Sequence, residues 1–67
     1  MSLEYIREYY KVDAYKGRRI HVKDTGNTGR IIGAHGAYVL ALMDRDSRKR
    51  KWIFHPLDLV YHDEGEA

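Results

Sequence analysis

The chain contains no cysteine. Disulfides and thiolate zinc sites are therefore excluded. Yet at 67 residues the chain falls in the size range where such staples are common, because so short a domain buries only about 60% of its unfolded surface. A well-packed β-rich core, a bound partner or self-association must supply the stability instead. Serine is confined to Ser2 and Ser47, and neither is accompanied by a base and an orienting group, so nucleophilic catalysis is not expected. A phosphate-cradling glycine loop is also missing: Gly26-x-x-Gly29 leads into a strand pattern where such a loop would lead into a helix. The longest apolar run, Ala37 to Met43, has seven residues, against the roughly 20 that a spanning helix needs. The segment Met1-Ser2-Leu3-Glu4-Tyr5 lacks the basic start and apolar stretch of a signal peptide. The expectation is a cytoplasmic single domain over residues 1–67, with no membrane partner and no enzymatic activity.

Charge is abundant. Hydrophobic residues make up 43% of the chain and charged residues 33%, a globular balance and not a disordered one. The formal net charge is only +2, but Asp63, Glu64 and Glu66 lie within the last five residues, leaving twelve basic against seven acidic groups in residues 1–61. Residues 62–67 read as an acidic, frayed tail. Five basic residues fall within seven positions: Arg45, Arg48, Lys49, Arg50 and Lys51. A second group comprises Lys16, Arg18, Arg19 and Lys23, with Arg30 nearby. Such clusters on a small domain suit an anionic partner, although solvated loops that keep the protein soluble have the same composition.

Residues 3–11 read as a short helix with Leu3, Ile6 and Tyr10 on one face, a second pair Tyr5–Tyr9 at i, i+4, and Ser2 as its cap. Beyond Gly17 the period becomes two. Ile20 and Val22 alternate with Arg19, His21 and Lys23, which would present a basic strand face. Turn composition at Asp24-Thr25-Gly26-Asn27 separates this strand from a second over Thr28 to Ala34, and His35-Gly36 turns the chain again. Ala37 to Asp44 is the third strand, residues 45–49 a charged hairpin loop, and Arg50 to His55 the fourth strand. Pro56 stops it. A 3₁₀ turn over Pro56-Leu57-Asp58 and a closing strand Leu59-Val60-Tyr61 complete residues 18–61. Five short strands with tight turns fit a mainly β fold: a small SH3-like five-stranded antiparallel barrel with a short N-terminal α-helix. The competing architecture is an open three- or four-stranded meander packed on that helix.

Ile20-x-Val22, a turn containing Gly26, then Gly29-Arg30-Ile31 resembles the KOW motif at the first hairpin of SH3-like barrels in ribosomal proteins and transcription elongation factors. Gly29 permits a hard bend or a close approach of strands there. Tyr5-Ile6-Arg7-Glu8-Tyr9-Tyr10, Lys16-Gly17, Gly29-Arg30-Ile31-Ile32-Gly33-Ala34, Tyr38, Asp44 and His55-Pro56 together resemble a group of small bacteriophage and prophage proteins of uncharacterised activity, with a helix, a KOW-like barrel and a His-Pro turn. This resemblance implies fold and phage or prophage origin. The chain departs from the group at Leu57-Asp58, where Thr-Trp is usual, and in a third strand apolar on both faces. Val39, Ala41 and Met43 form one face of that strand; Tyr38, Leu40 and Leu42 form the other, expected either to seat the helix or to contact a partner.

Eight aromatic residues are interleaved with the basic ones; Trp52 and Phe54 are expected in the core, while others could stack bases. His21, His35, His55 and His62 have no ligand spacing, and Asp44-x-Asp46 lacks the glycine and distal glutamate of a calcium loop, so neither a metal nor another cofactor is expected. His55 reads as a turn residue bonding nearby backbone. Two functions follow. In the leading one, the chain is a non-catalytic module binding DNA or RNA through Arg19, His21, Lys23 and Arg30 on the strand face and Arg45, Arg48, Lys49, Arg50 and Lys51 at the hairpin. In the alternative, Tyr38, Leu40 and Leu42 contact a host or phage protein or form a homodimer seam.

Overall fold

The computed structural model describes residues 2–62; the acidic residues of the expected tail lie outside them. Helix α1 spans Leu3–Tyr10. Strands β1 (Arg19–Val22), β2 (Thr28–His35), β3 (Tyr38–Met43), β4 (Lys51–Phe54) and β5 (Leu59–Tyr61) follow, with a 3₁₀ turn at Pro56–Asp58. Every element lies within one residue of its expected range. The strands form one antiparallel sheet in the order β4-β3-β2-β1-β5, and the radius of gyration is 10.9 Å.

The Ser2 hydroxyl accepts from the Tyr5 amide at 3.3 Å, capping α1, and Lys11 ends it in the left-handed region at φ 58°. Eight residues do not hold a helix in water on their own. Ile6 is fully buried, Leu3 and Tyr10 pack on the same core, and Tyr5 stacks on Tyr9 on the outer side. Arg7 ties down the segment after the helix: its Nη1 donates to the Ala14 carbonyl at 3.1 Å and its guanidinium lies 4.2 Å from the Tyr15 ring centre.

The core joins Ile6 and Ala14 to Ile20, Val22, Ile31, Val39, Ala41, Met43 and Leu59. The helix therefore covers the Val39/Ala41/Met43 face of β3. The expectation that it seats on Tyr38, Leu40 and Leu42 is overturned: Tyr38 is 47% exposed and the two leucines are half-buried. Ala41 and Val39, small or β-branched, leave room for helix and sheet to approach, which the larger side chains opposite do not. The expectation for Trp52 also fails. Its register beside Ala41 points it to the core side, but β4 is an edge strand and the indole is 39% exposed. Phe54, one pleat further on, does pack on the core.

Gly29 lies between Ile20 of β1 and Met43 of β3. A Cβ there would sit 2.7 Å from both the Leu42 carbonyl oxygen and the Met43 sulfur, so the close approach expected of the motif glycine is present. At Ile32–Gly33 the register slips by one residue opposite Leu40. This bulge lets Ile31 and Ala34, three apart, both serve the core.

Tyr61 closes the bottom of the core. Its hydroxyl donates to the Pro56 carbonyl at 2.7 Å, and burial pushes its phenol up to about 12. The folded state thus holds this proton more tightly than the unfolded chain, whose tyrosines titrate near 10. The stabilisation is complete below about pH 10 and is lost as pH rises through about 12. Urea midpoints measured between pH 8 and pH 12 are expected to fall across that upper window in the wild type. In Tyr61→Phe this component of the fall disappears; an identical pH profile in the variant would contradict the assignment.

Candidate nucleic-acid interface

The turn 23–27 joins β1 to β2, and the loop 44–50 joins β3 to β4. Antiparallel pairing puts both connections at the same end of the sheet. Asn27 from the turn and Arg45, Asp46, Arg48, Arg50 and Trp52 from the loop and β4 line one open groove of about 340 Å³.

Asp46 organises the loop. Its Oδ1 accepts from the Arg48 amide at 3.0 Å, while its Oδ2 accepts from Trp52 Nε1 at 2.8 Å and Arg50 Nε at 3.0 Å. The Asp46 backbone carbonyl accepts from the Lys49 amide at 3.1 Å, and Lys49 turns the chain with φ 55°. The indole donor, followed by Arg50 and the Arg48 amide, holds the Asp46 carboxyl below the usual carboxylate range, against the opposing effect of desolvation. Only 7% of the Asp46 side chain is exposed. Arg50 also lies with its guanidinium 5.3 Å from the indole centre, a cation–π contact.

On the outer sheet face, Arg19, Arg30, Leu42 and Lys51 form a row across four strands. Arg19 and Arg30 are direct cross-strand neighbours, and like charges so placed repel. Asp44 relieves this repulsion: its carboxylate takes both terminal nitrogens of Arg19, one at 3.1 Å, and a hydrogen bond from the Thr28 hydroxyl at 2.6 Å. The Arg19 bond, then that of Thr28, lowers the Asp44 pKa.

The structure thus gathers most of the sequence-predicted basic residues but not as one strand face. Arg30, Arg45, Arg48, Lys49 and Lys51 have exposed side chains outside every ion pair among the described residues. Arg19 and Arg50 are committed to Asp44 and Asp46. Lys23 falls in the turn after β1, not in the strand. His21 is half-buried against His62, with Nδ1 and Nε2 2.8 Å apart, and contributes no open cationic face. His62, assigned to the tail by composition, is instead bound to β1 through its amide and the Arg19 carbonyl at 2.9 Å. His55 behaves as expected, its Nδ1 accepting from the Leu57 amide at 3.1 Å.

Three contributors escape a reading of the sequence: Asn27, Asp46 as organiser, and Trp52 as a groove wall. The Asp46/Arg50 spacing was the one available signal. On the same outer face, two residues along from the Leu42–Lys51 pair, Leu40 pairs in register with Ile53, which is 51% exposed, so this part of the face is apolar and open. No family model, curated protein or solved structure matches the chain.

Proposed function

We propose that the protein is a non-catalytic nucleic-acid-binding module on a KOW-like, SH3-like barrel. The architectural part is supported by the antiparallel order in which the first strand joins the last, the arrangement by which small sheets curl toward closure, and by the tight strand approach at Gly29. One observation carries the function. At one end of the sheet the carboxylates Asp44 and Asp46 are each engaged by protein donors, whereas Arg30, Arg45, Arg48, Lys49 and Lys51 are exposed and in no ion pair among the described residues. Uncompensated positive charge spread over a loop and a strand row suits a string of phosphates.

Fluorescence anisotropy with labelled DNA and RNA, single- and double-stranded, in a salt series tests this reading. Five contacts give a slope of log K against log salt of about −3.5 for single strands and about −4.5 for duplex DNA. No binding at low salt overturns it. That outcome favours the second reading, contact with another copy of this chain through β4. Symmetric antiparallel pairing of two such edge strands about Ile53 would set Ile53 against its own copy and Trp52 against Phe54, opposing no like charges. A dimer mass by light scattering would then support it.

A further inference from the structure

We propose that the groove beside Trp52 takes an unpaired base of a single-stranded nucleic acid, stacked on the indole, with the adjoining phosphates held by Arg45 and Arg48. This deepens the nucleic-acid reading and rests on it. Binding by phosphate contacts alone treats single strands and duplexes alike apart from their charge density. Three features of the groove add a requirement for an exposed base.

The indole is held in place. Asp46 fixes its edge through Nε1 at 2.8 Å, so the ring cannot turn into the core that its strand register points toward. A large aromatic surface is thereby left 39% exposed, at a cost that burial would remove. Its volume suits the ligand as well: about 340 Å³ lies within the range of small-molecule sites of about 300–1,000 Å³. Finally, the charge in the groove is arranged for an anion with a flat apolar body. The single carboxylate, Asp46, has both oxygens occupied by the loop itself, while Arg45 and Arg48 stand on the rim. Arg50 already packs against the indole, so a base stacking on the ring adds a second layer of the same kind. Asn27, which also lines the groove, supplies an amide for a base edge. In a duplex both faces of each base are covered by its neighbours and are not offered to the indole.

The chain has one tryptophan, so fluorescence excited at the red edge reports this site alone. Oligo(dT), oligo(U) and a DNA duplex of equal length are titrated into the full chain at one salt concentration. The expected result is tighter binding of the single strands, with quenching of Trp52 and protection from acrylamide that the duplex does not produce. Trp52→Leu is expected to lose about tenfold in single-strand affinity, and to keep its duplex affinity. The wild-type quenching stands even if that variant folds poorly. Equal binding of single strand and duplex without any change at Trp52 overturns the proposal and leaves the nucleic-acid reading intact; no binding of any probe overturns both.

Discussion

Gly29→Val is expected to leave the chain largely unfolded at 25 °C, and Gly29→Ala to lower its unfolding free energy by about 3 kcal/mol. The reason is what surrounds the missing Cβ. One neighbour, the Met43 sulfur at 2.7 Å, ends a flexible side chain and can swing away; the other, the Leu42 carbonyl oxygen at the same distance, belongs to the backbone of β3, an interior strand paired on both sides. Moving it means parting β2 from β3, whose pairing runs from Gly29–Met43 to His35–Tyr38. A domain of this length has about 3–10 kcal/mol of stability in total, so the alanine takes a large fraction and the two further methyls of valine exceed what is left. Denaturant titration followed by circular dichroism measures both variants. Gly33→Ala serves as the comparison, since a Cβ there meets nothing within 4 Å, and it is expected to change stability by less than about 1 kcal/mol. Equal stability of the wild type and Gly29→Ala would show that β2 and β3 do not approach as closely as described.

Gly29 also marks where the sequence is a sufficient guide. A period of two is legible wherever one sheet face is buried, as in Arg19–Val22, because each alternate residue must find the core or the solvent. The helix is legible from Leu3, Ile6 and Tyr10 for the same reason. Pattern fails where the answer depends on which strand is at the edge. Trp52 and Ala41 share a face, yet only Ala41 is covered, because another strand lies on each side of β3 and none beyond β4. It fails again at Ile32–Gly33, where one extra residue shifts the phase and recruits Ala34 to the core. The side of β3 taken by the helix was likewise undetermined, since both of its faces are apolar. In the candidate site, the basic loop was evident from composition. Its wiring through Asp46 was not: the Asp46/Arg50 spacing is that of a helical ion pair, and it operates here in a tight loop that also captures an indole. The His21–His62 contact joins residues 41 apart in sequence and exists only because β5 runs back along β1.

Reversing Lys49 and Lys51 together to glutamate is expected to weaken binding of every nucleic acid by about a hundredfold at low salt, with little change in the fold. Each reversal turns an attraction of about 1 kcal/mol at contact distance in water into a repulsion of similar size, about tenfold to thirtyfold per residue before screening. The two side chains are exposed and lie outside every ion pair among the described residues, so their loss removes no packing, and a stability change within about 0.5 kcal/mol is expected. They also sit on different parts of the surface: Lys49 on the loop beside the groove, Lys51 at the end of the row containing Arg30 and Leu42. Loss at both positions would mean that the phosphate path runs from the loop onto the outer sheet face. The salt slope discriminates between a local contact and a general effect of net charge. Removing two contacts flattens it by about 1.4 for single strands. Lys16→Glu, in the turn before β1 and outside the loop, alters net charge without touching that path and is expected to leave the slope unchanged. If Lys16→Glu flattens the slope as much per charge as Lys49→Glu does, the protein binds through its net charge alone, and the basic loop has no privileged role.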